Sequence, residues 1–207
     1  MKRLFIAAAR SLRALRRPSR RANARLLAAR GEALESLVIR DAAERDIPAL
    51  ADLHVKTWRA TYSGILSAQA LSGPTYEVRE RQWREAFARA DGSWFALVVE
   101  RPDGRLVGFA KGTREDPSAP SGELGKIYLL REYQRLGLGR RLVGHVARRF
   151  LERGVSSMQA YVDPRNPSCR FFEALGAGWL REPDGRINYN WYVWPDLQRL
   201  SSICPIE

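Results

Sequence analysis

The sequence is short of the residues that usually announce a metal site or a covalent framework. Its 207 residues include two cysteines, two histidines and two methionines. Cys169 and Cys204 stand in no metal-ligand spacing with each other or with His54 and His145, so no metal is expected. Two cysteines make no disulfide framework, which points to a reducing compartment and a cytoplasmic protein. Long apolar runs are missing as well. The first, LFIAAA at residues 4–9, ends at Arg10. It is too short to span a bilayer and short for a secretory signal, and no cleavage site follows it. No internal repeat or low-complexity linker interrupts residues 37–194.

Acid is missing from the start of the chain. Ten of the 35 basic residues and none of the 23 acidic ones fall within residues 1–30, so the rest of the chain is close to neutral despite the formal net charge of +12. The high isoelectric point describes an arm, not a basic globule. Leu4, Ala8, Leu12 and Leu15 share one helical face. The plain reading is a solvated or partly docked helix. The sharper reading is an arm that touches nucleic acid or an anionic membrane. An organellar transit peptide shares the same composition. We read residues 1–36 as a basic extension, helical or disordered, residues 37–195 as one domain, and residues 196–207 as a C-terminal tail.

Within that domain the patterns alternate between strand and helix. LVI at 37–39 is β-prone, and ERDIPALADLHVKTWRATY predicts a helix capped by Asp46 with Pro48 in its first turn. A second helix is expected from Tyr76 to Ala90. SWFALVVE and LVGFAKG form a hairpin around Asp103-Gly104. A loop, REDPSAPSG, leads to the strand ELGKIYLL. Leu138, Leu142, Val146, Phe150 and Leu151 mark a helix that ends at Gly154. MQAYV, NPSCRFFEALG, WLRE and INYNWYVW follow as strand, helix, strand and strand. The order β-α-α-β-β-β-α-β-α-β-β gives an α/β class with a mixed sheet and helices on its faces.

One junction carries more than a turn needs. EYQRLGLGRRLV places Gly137 and Gly139 where a strand has ended and a helix begins. The first amides of a helix have no intrahelical partner, and with the helix dipole they attract an anion. Glycine lets a phosphate come close to the main chain, and Arg135, Arg140 and Arg141 add charge. The pattern is neither the dinucleotide fingerprint, because position 142 is Leu142, nor a P-loop, because no Gly-Lys-Ser/Thr follows. Packing alone would also explain two glycines here.

Gln134 to Gly139, Q-R-L-G-L-G, resembles the Q/R-x-x-G-x-G/A signature of the GNAT superfamily of acyl-CoA-dependent N-acetyltransferases. ELGKIYLLREYQRLGLGRRLV is similar to the strand–loop–helix of that family, NPSCRFFEALGA to its downstream motif, and IRDAAERDIPALADLHVKTWRATYSGIL to many of its opening segments. The resemblance covers about residues 37–194. It implies a GNAT-like fold with a mostly antiparallel sheet splayed at the CoA site, and acetyl-CoA as co-substrate. Amides and side chains of Gln134, Arg135, Leu136, Gly137, Leu138, Gly139 and Arg140 would hold its pyrophosphate. The strand Ile127, Tyr128, Leu129 and Leu130 would pair with the pantetheine arm and donate an N–H to the oxyanion. Asn166 would lie near the pantetheine, brace its loop, or cap the helix that follows.

The implied reaction is direct acetyl transfer in a ternary complex to a primary amine of a small-molecule or peptide acceptor. Glu123, at the start of the central strand, would be the base working through water. Strict alternation puts Tyr128 on the face of Lys126 and Leu130 and not of Glu123, as a sheet-packing residue. Phe172 would lie against the cofactor, at the position where the family often has tyrosine, and it has no proton to give. Either the thiolate leaves unaided, or Tyr161 supplies the acid, or the fold is a weak or inactive acyl-CoA-binding module. Cys169 stands where the family has a small residue. Its place near a helix N-terminus would lower its pKa, while packing alone also accounts for it. Trp58 and Tyr62, four apart on one helix face, would line the acceptor pocket and suit an apolar or cationic acceptor. Tyr189, Trp191 and Trp194 would close its other side. His54 and His145 are read as structural. GNAT proteins are often dimers, so a homodimer is one partner the resemblance implies.

Overall fold

Strand β2 (Trp94–Glu100) shows why the chain builds a sheet covered on both faces. Phe95, Leu97 and Val99 alternate with Ala96 and Val98, and all five are buried, in two different apolar clusters. The fold comes from a computed structural model that describes residues 19–114 and 121–205. The helical face Leu4–Leu15 and most of the loop REDPSAPSG lie outside the described residues.

In chain order the elements are α1 (Arg20–Ala29), β1 (Val38–Asp41), α2 (Ile47–Tyr62), α3 (Ala68–Ser72), α4 (Tyr76–Phe87), β2, β3 (Leu106–Thr113) and β4 (Ser121–Leu129). Then come α5 (Leu138–Glu152), β5 (Ser157–Tyr161), α6 (Cys169–Ala174), β6 (Gly178–Arg181), β7 (Ile187–Trp194) and α7 (Leu197–Ile203). The seven strands form one sheet in the order β1-β2-β3-β4-β5-β7-β6. Every pairing is antiparallel except β4 with β5. The expected α/β class with a mixed sheet is the observed one.

Leu138, Leu142, Val146 and Phe150 of α5 cover one face together with Leu197 and Leu200 of α7. Ile47, Leu50 and Leu53 of α2 and Trp83 of α4 cover the other. Each such large side chain contributes about 1.5–3 kcal/mol by leaving water. Asp46 does not cap α2 with its side chain as expected. Its carboxylate accepts from the Ala43 amide at 2.8 Å and from the Arg40 guanidinium at 2.7 and 2.9 Å, and Arg40 also bonds Glu100. Asp46 thus pins the start of α2 to the β1–β2 edge. Pro48 sits in the first turn, where its missing N–H costs nothing.

The packed core passes both expected domain limits. Leu27 of α1 is buried in the main cluster. So are Leu197, Leu200 and Cys204 around α7, the segment expected as a tail. A Cβ at Gly144 of α5 would lie 2.4 Å from the Cys204 carbonyl oxygen. Backbone cannot yield there cheaply. Gly144→Ala is therefore expected to lift α7 at a cost of about 1–3 kcal/mol, lowering Tm by about 2–4 °C per kcal/mol. Gly178→Ala, where a Cβ meets nothing within 4 Å, serves as the control. Equal melting of the two variants would show that α7 does not pack on α5 this way.

Candidate active site

The parallel pair β4–β5 opens into a cleft. It pairs at Ser121↔Ser157, Gly122↔Met158 and Glu123↔Gln159 and no further, although β4 runs on to Leu129 and β5 to Tyr161. The other edge of β4 stays joined to β3 as far as Leu129. From Leu124 onward the main chain of β4 on the β5 side has no ladder partner. Glu123 and Gln159 form the apex. The strands diverge toward their C-terminal ends, after which come the first turns of α5 and α6.

The glycine turn stands at that wide end. Gly137 takes a left-handed conformation, φ 92°, and is the N-cap of α5 with no side-chain cap bonded there. A Cβ at Gly137 would touch nothing within 4 Å, so backbone conformation and not crowding favours glycine. Gly139 has a different reason. Its Cβ would press on the Phe171 ring at 3.3 Å, so it lets α6 pack on α5. Among the described residues Arg135 is the one non-glycine residue with positive φ, 64°. Arg135 and Arg140 are exposed, and Leu136 is half-buried. Leu138 is buried in the core, so only its amide can serve a ligand. The Gln134 side chain donates from Nε2 to the Leu129 carbonyl at 3.0 Å and ties the turn to the end of β4.

Sequence reasoning missed Asn23. This buried α1 residue donates from Nδ2 to the carbonyls of Arg131 and Gln134, both at 2.8 Å, and clamps the turn from behind. The available signal was Ser19, which caps α1 by accepting from the Ala22 amide.

A β-bulge changes the expected faces of β4. Lys111 pairs with Lys126 and Gly112 with Leu124, which leaves Gly125 as the extra residue. Strict alternation separated Glu123 from Tyr128. The bulge resets the alternation, so Glu123, Lys126 and Tyr128 all face α2 and α4 beside Phe109 and Lys111 of β3. Ile127 and Leu129 pack on the opposite face, and Leu130 touches both clusters. Tyr128 stacks near His54 and Phe109, 5.5 and 5.6 Å between ring centroids. Burial raises its phenol pKa well above the usual range, and neighbouring Tyr62 adds to that.

The other expected site residues fall into two groups. Trp58 and Tyr62 stack at 5.3 Å, and Tyr62 reaches Asn166, whose Nδ2 lies 3.4 Å from the hydroxyl. Asn166 is not the N-cap of α6, which is Ser168. Its side chain instead accepts from the Ser168 amide at 2.8 Å and shapes the loop before the helix. Tyr161, 60 % exposed, ends β5 on the α2 side and leans on Trp191. Phe172 belongs to the opposite core, stacked on Phe171, Tyr192 and Trp194. Trp194 is buried there, with its indole N–H bonded to Leu175, so it closes no pocket. Tyr189 is exposed against Trp179. The Cys169 thiol is pushed up by burial rather than lowered, and it points to the carbonyls of Asp163 and Pro164. It is a packed side chain.

A mostly antiparallel sheet split between β4 and β5, with a glycine turn at the split, matches a known group of proteins. The model of the acetyltransferase (GNAT) family matches residues 35–177. The chain belongs to the GNAT acetyltransferase family. It is 32% identical over 174 residues to the uncharacterized N-acetyltransferase YuaI of Bacillus subtilis (strain 168), covering 81% of this chain and 98% of that one. Among solved structures, the PaiA N-acetyltransferase of Thermoplasma acidophilum in complex with coenzyme A superposes with a TM-score of 0.65. It has 20% identity and covers 76% of this chain and 98% of the other. The spermidine N-acetyltransferase of Vibrio cholerae, solved with CoA and spermine, gives 0.54 at 19% identity over 77% and 92%. These two likenesses establish the shared fold. The family match leaves out α1 and everything from β6 onward, so Asn23 of the clamp lies outside it.

Inside this GNAT fold one buried histidine has a measurable consequence. His54 is 2 % exposed, between Trp83, Phe109 and Tyr128. Burial, with Arg79, Lys126 and Lys111 nearby, pushes its pKa down to about 2. Between that value and the ordinary 6.5 the unfolded chain binds a proton that the folded chain refuses. This contribution to stability is whole above pH 6.5 and falls as pH drops, by up to about 1.4 kcal/mol per pH unit. Wild type should therefore lose Tm on acidification faster than His54→Gln. Parallel curves would show that His54 protonates in the fold. Among the described residues no helix is long and apolar enough to cross a membrane.

Proposed function

We propose that the protein transfers an acetyl group from acetyl-CoA to a primary amine of a small-molecule or peptide acceptor, directly in a ternary complex. The observation that carries this reading is the cleft between β4 and β5, which opens onto the uncapped N-terminus of α5. The edge of β4 from Leu124 to Leu129 can accept a pantetheine arm as an added strand. The first amides of α5, with Arg135 and Arg140, suit a pyrophosphate. PaiA, solved with coenzyme A, shares this fold.

The acceptor enters from the α2–α4 side. Glu123 at the apex removes the ammonium proton through water, since only the neutral amine has a lone pair. A main-chain N–H of Ile127–Leu130 stabilises the oxyanion. Tyr161, across the cleft from β4, returns a proton to the departing thiolate. A second reading rests on Phe172, which is buried among aromatic rings with no proton to give. On that reading the fold binds an acyl-CoA without turning it over, and CoA release with any member of an amine panel excludes it.

The test is a thermal-shift titration with acetyl-CoA and CoA, and with NAD as control. At about one hundred times its Kd the ligand adds roughly 2.7 kcal/mol of stability. No shift with acetyl-CoA would remove the assigned cleft.

A further inference from the structure

Among the described residues four buried side-chain polar atoms lack a hydrogen-bond partner: His54 Nδ1, Arg79 Nε, Trp83 Nε1 and Arg101 Nε. Three of the four gather at one place, between α2, α4 and the bulged part of β4. Unpaired buried polar atoms are uncommon and each calls for a reason. His54, Trp83, Lys111, Lys126 and Gln82 line a small cavity there. It shares Gln82 and Lys126 with an open depression of about 440 Å³ that Arg79, Arg89, Glu85 and Ala86 complete. The two spaces lie side by side, with Gln82 and Lys126 in the wall of both.

Its chemistry is lopsided. The guanidinium of Arg79, the ammonium of Lys126 and the indole N–H of Trp83 can only donate hydrogen bonds. A neutral imidazole donates from Nδ1 when its proton sits there. Among the described residues neither Arg79 nor Lys126 forms an ion pair with a carboxylate; Arg79 donates to the Gln82 side-chain oxygen at 2.9 Å. Two carboxylates are near. Glu85 lines the open depression and is paired with Arg81 at 3.8 Å, and Glu123 acts on Lys126 from the apex of the cleft. A group of convergent donors with excess positive charge is satisfied by an anion.

Position links the pocket to the transfer site. Arg79 lies over the Trp58 ring at 5.8 Å, and Trp58 stacks on Tyr62. Lys126 stands between Glu123 and Tyr128 on one strand face. The Trp58 ring, expected with Tyr62 to hold an apolar or cationic acceptor, already carries the protein's own cation on one face. We propose that the acceptor is an amine whose far end is anionic, a carboxylate or a phosphate, and that Arg79 and Lys126 bind that end while the amine faces Glu123. This inference rests on the acetyltransfer reading and narrows its acceptor.

The test uses the full chain and acceptors of one length and different charge: 4-aminobutyrate, 4-aminobutanamide and 1,4-diaminobutane, with an aminoalkyl phosphate as the second anionic arm. CoA release gives kcat/KM, and melting of the CoA-loaded protein gives binding. The anionic acceptors should lead the amide by at least tenfold, with the diamine last. The better of the two anions identifies the group. Arg79→Gln and Lys126→Gln should each erase the lead, chiefly through KM. Arg84→Gln, which removes a charge paired with Glu80 elsewhere on α4, should keep it. The proposal falls if the amide or the diamine equals the anions. It also falls if CoA stabilises the protein and no anionic amine either binds or turns over above the amide. Failure of acetyl-CoA itself to bind would instead overturn the acetyltransfer reading.

Discussion

Replacing Gly137 by valine is expected to abolish acetyl-CoA binding, with KM for acetyl-CoA raised at least a hundredfold and the thermal shift lost. The argument begins from φ 92° at this residue. A non-glycine residue in left-handed conformation costs roughly 1–2 kcal/mol, and a β-branched one more. The chain relieves that strain by turning Gly137 toward negative φ. Gly137 is the N-cap of α5, so its rotation redirects the amides of Leu138, Gly139 and Arg140, which hold the pyrophosphate in the proposed reading. The fold should survive, because a Cβ there meets no atom within 4 Å. Asparagine tolerates the left-handed region, so Gly137→Asn should keep most of the binding. Wild-type affinity in Gly137→Val would show that these amides do not hold the ligand. Equal loss in the Val and Asn variants would mean that the missing Cβ, not the backbone angle, matters.

The glycine turn was legible in the sequence because its cause is local. A strand pattern ends, a helical pattern starts, and two glycines sit between them. The element order from β1 to β7 was legible for the same reason, except for the short helix α3, whose five residues bury no side chain and carry no apolar period. What escaped the sequence depends on distant partners. Ser19 and Leu27 give α1 its cap and its buried contact, but ten basic residues nearby drew the reading toward a solvated arm. α7 has a buried Leu197 and Leu200 whose partner surface on α5 is defined by Gly144, more than fifty residues earlier. The placement of Glu123 escaped for a subtler reason. Alternation along β4 is correct on both sides of Gly125 and wrong across it, and a single glycine within a strand does not reveal whether it is bulged. The cluster of Arg79, Lys126 and His54 draws on α4, β4 and α2, three elements that no motif joins.

Glu123→Gln is expected to lower kcat/KM by about a hundredfold or more near pH 7, within the 10²–10⁴ range of a general base, and to do so unevenly across pH. A primary amine of pKa near 10 is almost wholly protonated at pH 6–7, where the base matters most. Toward pH 10 the free amine becomes abundant and the variant should approach wild type. Acetyl-CoA binding should not change, since the altered side chain faces α2 and α4, away from the glycine turn. One complication is built into the site. Burial lowers the Lys126 pKa, and Glu123 opposes that shift. Removing the carboxylate therefore lets Lys126 lose its proton at lower pH than in wild type. If Lys126 holds the anionic end of the acceptor, that loss raises KM as pH rises, while the missing base depresses kcat as pH falls. The two effects run in opposite directions and can be separated by measuring kcat and KM at each pH. A ratio of wild-type to variant kcat that stays constant from pH 6 to 10 would remove Glu123 as the base. A KM that stays flat in the variant would remove Lys126 from the acceptor's anionic end.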